Sequence, residues 1–193
     1  MLRVSFILAA MVCALGGCDR ASEGEAQPAS APEADGASDA SALAGVVSRE
    51  QAGSPLPDFT VTDPEGNTLD LAALAGQPVL LNLWATWCAP CVVEMPMLDA
   101  LARDMEGELR VVTVSQDIRG AEKVVPFFEQ RDFAALEPWL DPDSELAVRM
   151  SEGGQLPLTV LYDAEGREVL RVAGGYEWDS EEARALIAEA LGN

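Results

Sequence analysis

Histidine is missing from all 193 residues of the chain. Its absence removes imidazole acid–base catalysis, the Ser-His and Cys-His nucleophile pairs, and the commonest side-chain ligand for zinc or copper. Proton handling must fall to carboxylates, thiols, lysine or water. Positive charge is also scarce, with 12 basic residues against 33 acidic ones and a formal net charge of −21. Such a surface cannot neutralise phosphates, which excludes nucleic-acid partners, and it repels an anionic membrane face. A membrane-spanning run is lacking too: the apolar stretch from Val4 to Leu15 is too short for a comfortable span. What remains has 49% apolar and 23% charged residues, the balance of a soluble globular protein with one domain and a proper core.

That short apolar stretch follows Arg3 and has the length of a secretory signal. It ends in Leu15-Gly16-Gly17-Cys18, which resembles a bacterial lipobox, so residues 1–17 are expected to leave and Cys18 to carry lipid. Cys13 goes with the signal, which leaves Cys88 and Cys91 as the thiols. Several acyl chains give a stable anchor where one is marginal. Asp19 after the lipidated cysteine leans toward the inner membrane, so the expected location is the bacterial cell envelope, on the periplasmic face of that membrane.

From Asp19 to Ser54 the chain is Ala, Ser, Glu, Asp, Gly and Pro with few large apolar residues, too little to offset its ordering entropy. Residues 18–54 therefore read as a lipidated cysteine and a flexible acidic tether. Its r.m.s. reach is roughly 30–36 Å on the ~5–6 Å × √n scaling of flexible chains.

The folded domain is expected over residues 55–193. Phe59 to Thr62 alternates as a strand, and Asp70 can cap a short helix through Leu74 that ends at Gly76. Pro78 to Trp84 is nearly continuous apolar sequence, as in a central strand covered on both faces. Val92, Val93, Met95, Leu98, Leu101 and Met105 follow helical spacing, Leu109 to Ser115 reads as a second central strand, and Ala121 to Arg131 as a helix. Asp141-Pro142-Asp143 opens a short helix through Met150, and a β-hairpin follows at Leu158–Tyr162 and Glu168–Val172. Ser180 starts a last amphipathic helix. Strands and helices alternate before a terminal hairpin and helix, an α/β order.

Trp87-Cys88-Ala89-Pro90-Cys91 sits where the apolar strand gives way to a helix. A CxxC pair serves zinc binding or dithiol redox chemistry. Structural zinc needs four ligands, and no histidine or second cysteine pair is there to complete them. At a helix start, free amide N–H groups and the positive helix end stabilise a thiolate at Cys88. Pro90 lacks an N–H and fits the first turn, and Cys91, further in, is the less exposed thiol.

Asn82-Leu83-Trp84-Ala85-Thr86-Trp87-Cys88-Ala89-Pro90-Cys91-Val92-Val93-Glu94-Met95-Pro96 resembles the thioredoxin-like lipoproteins and membrane-tethered proteins of the TlpA, ResA and CcmG type, over about Leu56 to Leu191. The resemblance implies a thioredoxin-like fold: a central mixed sheet flanked by helices, with an N-terminal extension and an inserted strand–helix element around Leu109 to Met150. It implies thiol:disulfide exchange outside the cytoplasmic membrane, with a reductive role in cytochrome c or cytochrome oxidase maturation. Cys88 and Cys91 become the redox-active disulfide pair, with Cys88 as nucleophile and Cys91 as resolving thiol. Glu94 becomes a buried carboxyl that tunes their protonation, its pKa raised by burial. Asn82 stands where cytoplasmic thioredoxins carry a buried aspartate.

By the same resemblance Pro157 is a cis-proline facing the cysteines, which leaves the Leu156 backbone free to pair with a substrate strand. Leu158 departs from the family's usual Thr. Trp87, Pro90, Leu156 and Pro157 are the expected substrate-contacting residues. The expected partners are client disulfides, a membrane-embedded thiol electron donor, and the membrane through the lipid on Cys18. No cofactor is expected, no metal and no nucleic acid, and the chain should be a monomer. Two other chemistries stay open on these residues: a thiol peroxidase using Thr86 beside Cys88, and Cu(I) handling on two thiolates.

Overall fold

A computed structural model describes residues 43–192. Eight strands form one sheet: β1 (Val46–Ser48), β2 (Thr60–Thr62), β3 (Thr68–Asp70), β4 (Val79–Trp84), β5 (Arg110–Ser115), β6 (Trp139–Leu140), β7 (Leu158–Tyr162) and β8 (Glu168–Ala173). Four α-helices flank it: α1 (Ala89–Asp104), α2 (Ala121–Arg131), α3 (Glu145–Met150) and α4 (Glu181–Leu191). The strand order is β1-β8-β7-β4-β5-β6-β2-β3. β4 runs parallel to β5 and antiparallel to β7, so the sheet is mixed, as expected.

Every residue of β4 is buried, which explains its unbroken apolar sequence. Side chains alternate across the sheet. Leu80 and Trp84 join one core with Cys91, Met95, Leu98 and Leu101 of α1, while Val79, Leu81 and Leu83 join a second core on the other face. Asn82 has the parity of Leu80 and Trp84 and therefore points toward α1, the lone polar side chain in the strand. β7 places Thr159 opposite it. Phe127 and Phe128 of α2 pack on the Trp84 ring, with centroids 4.9 and 6.0 Å away.

Several expectations shift. The composition reads as tether through Ser54, but Val46–Ser48 pairs antiparallel with β8, and Gly45 N–H donates to the Gly175 carbonyl at 2.8 Å. Glu168 N–H likewise donates to the Ser54 carbonyl at 2.8 Å. The unpaired edge of β8 supplies the partner that the local composition does not advertise. Residues 43 and 44 also lie within the described chain. The signal, Cys18 and the tether up to residue 42 lie outside the described residues.

Asp70 ends a strand rather than opening a helix, though its carboxylate still accepts from Ala72 N–H at 3.0 Å above a 3-10 turn, Ala72–Leu74. The strand expected from Leu109 begins at Arg110, and the helix expected from Asp141 begins at Glu145. Asp141 caps that helix from outside, accepting from Leu146 N–H at 2.8 Å. β6 and α3 fall within the span expected to carry the inserted strand and helix. Among the described residues no helix is long and apolar enough to cross a membrane.

Candidate functional site

β4 ends at Trp84, and four residues later the chain has turned into α1. Cys88 is the N-cap of that helix in extended backbone geometry, and its carbonyl already accepts from Val92 N–H at 3.0 Å. Pro90 lies in the first turn, where its missing N–H costs no hydrogen bond. Cys88 and Cys91 are joined as a disulfide with their Cα atoms 5.3 Å apart. Cys88 keeps 7% of its surface exposed and Cys91 none, so of the two the residue at the helix start is the one open to the outside.

The turn before Cys88 is held by a side chain the motif did not suggest. Asp117 is buried just beyond β5. Its carboxylate accepts from Thr86 N–H at 2.9 Å, from the Thr86 hydroxyl at 2.7 Å and from the Ser115 hydroxyl at 2.8 Å. Thr86 and Asp117 line a surface cleft of about 420 Å³ together with Trp87, Ile118, Arg119 and Lys123. Trp87 and Ile118 are 69% and 83% exposed, an apolar rim beside Cys88.

Behind the cysteines lies Glu94, wholly buried one helical turn beyond Cys91. Oε1 accepts from Asn82 Nδ2 at 2.8 Å. Oε2 accepts from Tyr176 N–H at 3.0 Å and from the Trp178 indole N–H at 3.3 Å. Burial outweighs these three donors and pushes the carboxyl up to about 7. Asn82 Nδ2 also donates to the Thr159 hydroxyl at 2.9 Å. Three parts of the chain thus meet at one carboxyl, α1 that carries it, β4 and the segment after β8, with Thr159 of β7 one bond further out behind Asn82.

The Leu156–Pro157 peptide is cis. The Pro157 carbonyl accepts from Gly174 N–H at 2.9 Å, which ties this loop to the end of β8. Because Leu83 pairs with Leu158, the loop emerges at the same sheet end as the cysteines. Leu156 packs on the core cluster that contains both of them. All seven expected residues of the described chain, Trp87, Cys88, Pro90, Cys91, Glu94, Leu156 and Pro157, therefore lie at one end of the sheet.

Asp117, Thr159, Tyr176 and Trp178 were not singled out from sequence. A usable signal existed for Thr159, since polar Asn82 inside an apolar strand demands a polar neighbour across the sheet. None existed for Trp178, whose indole arrives from the far end of the chain.

The AhpC/TSA family model matches residues 52–178 of the chain. The thiol-disulfide oxidoreductase ResA of Bacillus cereus (strain ZK / E33L) is 33% identical over 124 residues, covering 64% of this chain and 70% of that protein. ResA of Geobacillus kaustophilus (strain HTA426) is 33% identical over 126 residues, covering 64% and 69%. A crystal structure ascribed to a thiol:disulfide interchange protein DsbE of Chlorobium tepidum superposes with a TM-score of 0.61 at 25% identity, covering 73% of this chain and 98% of that one. The exposed lipoprotein thioredoxin of Streptococcus pneumoniae shares the fold, with a TM-score of 0.57 at 23% identity over 67% of this chain and 98% of its own. A buried-cysteine disulfide at a helix start, on this sheet and among these relatives, makes the chain a thiol:disulfide oxidoreductase, and it belongs to the AhpC/TSA family as a thioredoxin-like protein of the TlpA, ResA and CcmG type.

Proposed function

We propose that the chain works outside the cytoplasm, held to the membrane by lipid on Cys18, and reduces disulfides in client proteins such as those of cytochrome c or cytochrome oxidase maturation. The observation that carries this reading is the asymmetry of the pair: Cys88 reaches the surface at the helix N-cap, while Cys91 and Glu94 are buried behind it. The Cys88 thiolate attacks one client sulfur and expels the other as a thiolate, which takes up a proton. Cys91 passes its proton to the Glu94 carboxylate, attacks the Cys88 sulfur of the mixed disulfide, and expels the second client thiolate. Two electrons leave the dithiol and enter the client. A membrane-embedded thiol donor then returns Cys88 and Cys91 to the reduced state. The client strand lies along the Leu156 backbone at Pro157, with Trp87 against its apolar side chains.

Exchange is favoured over peroxide reduction because Thr86, which the latter would need beside the nucleophile, gives its hydroxyl to Asp117. Cys88→Ala should abolish disulfide reduction, and Cys91→Ser should accumulate covalently trapped clients in intact cells. Full activity in Cys88→Ala, or a Cys91→Ser chain that traps nothing, removes the mechanism. A reductant also needs a potential nearer the about −270 mV of thioredoxin than the about −120 mV of DsbA. A value at the oxidising end would reverse the direction of electron flow. The tether predicts that Cys18→Ser leaves the membrane fraction.

A further inference from the structure

The two oxygens of Glu94 are not equivalent. Oε2 already accepts two donors, Tyr176 N–H and the Trp178 indole, so a proton arriving on this carboxyl must sit on Oε1. Oε1 faces Asn82 Nδ2 at 2.8 Å, and an O–H placed there would meet an N–H head on. The same amide holds the remedy. Asn82 Oδ1 is buried with no hydrogen-bond partner among the described residues, and half a turn about the Cβ–Cγ bond exchanges it with Nδ2. Thr159 permits the exchange, because its hydroxyl accepts from Nδ2 in one orientation and can donate to Oδ1 in the other.

We propose that Asn82 is a positioning residue whose amide inverts as Glu94 gains or loses its proton, with Thr159 as the pivot. With Glu94 as carboxylate, Nδ2 donates to Oε1 and to Thr159, and Oδ1 is left over. With Glu94 as acid, the Oε1 proton and the Thr159 hydroxyl both donate to Oδ1, and the NH2 group is left over. A buried donor without a partner is costlier than a carbonyl without one, so the device favours the carboxylate and opposes burial. Among the described residues no charged side chain takes part. The groups facing Glu94 are Asn82 from β4 and the Tyr176 amide and Trp178 indole from beyond β8, with Cys91 one turn back on its own helix. The inference rests on the reading of Glu94 as the proton acceptor for Cys91. It gives that acceptor a hydrogen-bonded partner in both of its states, so the proton can arrive and leave without opening the core.

Thr159→Val separates the two states. It strands an N–H in the carboxylate orientation, but in the acid orientation Oδ1 keeps its bond from Glu94. The Glu94 midpoint should therefore rise by about one pH unit, the size of one net hydrogen bond, and Thr159→Ser should restore it. The measurement is an NMR titration of the oxidised full-length chain, following the Glu94 carboxyl carbon and the Asn82 side-chain amide protons. Both should move with a single midpoint. Asn82 protons that stay still while Glu94 titrates overturn the proposal, and so does a Thr159→Val midpoint equal to that of the unaltered chain. Should Thr159→Val not fold, the titration of the unaltered chain decides alone. The test needs no client, so its failure beside intact Cys91→Ser trapping removes only the amide switch. Coupled titration beside an active Cys88→Ala chain removes only the exchange mechanism.

Discussion

Glu94 should make the stability of this domain depend on pH in a direction opposite to that of most carboxylates. Burial raises its folded-state pKa to about 7, well above the unfolded value near 4.5. Between those values the folded chain binds the proton more often than the unfolded chain, so stability from this group falls as pH rises. It is fully present below about 4.5 and is lost by the time pH has passed through about 7, a loss on the order of 3 kcal/mol. Glu94→Gln removes the titration while keeping the size and a carbonyl acceptor. Guanidinium unfolding at pH 5 and pH 8 should show the Gln variant gaining on the unaltered chain by up to about 3 kcal/mol at the higher pH. A difference that does not change with pH would mean that folding leaves the Glu94 pKa at its unfolded value, against the rise that burial imposes. The resemblance to the family carried the buried carboxyl and, with burial, its raised pKa; the spacing of Cys91 and Glu94 places them one helical turn apart but does not bury either. It did not carry Tyr176 or Trp178, whose donors reach Glu94 only after the hairpin has closed and the chain has returned across α1.

Elements divide along the same line. Ala121–Arg131 was legible to the residue from its own apolar spacing, and the helix after Ser180 from its spacing and its cap. The Ser180 hydroxyl does accept from Ala183 N–H at 3.0 Å. Strand β1 was not legible, since three residues in Ala- and Gly-rich surroundings have no period, and their ladder is supplied by β8. Gly45 is the element's weak point. A Cβ there would lie 2.7 Å from the Gly175 carbonyl oxygen, 2.8 Å from that of Gly174 and 2.8 Å from Val172 Cγ1, and the backbone oxygens cannot step aside. Gly45→Val should detach β1 and lower stability by about 1–3 kcal/mol. Hydrogen exchange would locate the loss, with amide protection falling in β1 and along the facing edge of β8 while β4 and β5 keep theirs. Unchanged protection at β1 would show that the close approach of these glycines is not what seats the strand.

At the scale of the whole molecule, charge sets which disulfides arrive most often. A net charge of −21 surrounds the chain with a field that reaches about 30 Å at 0.01 M salt and about 3 Å at 1 M. The cleft beside Cys88 contributes two cations, but Arg119 is paired with Glu122 at 2.7 Å, which leaves Lys123 to act against the whole. The field should therefore govern encounter, and the cleft should govern what happens after contact. For the reduced full-length chain, cystamine, a cationic disulfide, should react faster than oxidised glutathione, which is anionic, at 0.01 M salt. The gap should close as salt rises to 1 M, because cystamine slows while glutathione speeds up. Stopped-flow tryptophan fluorescence follows the reaction through Trp87, which adjoins Cys88 in the chain. Rates that ignore salt would remove charge from the encounter altogether, and a preference for the anionic disulfide at low salt would place control in Lys123 rather than in the net charge. The physiological client would then be sought among acidic proteins; the salt dependence expected here points instead to a client whose disulfide lies in a basic surface.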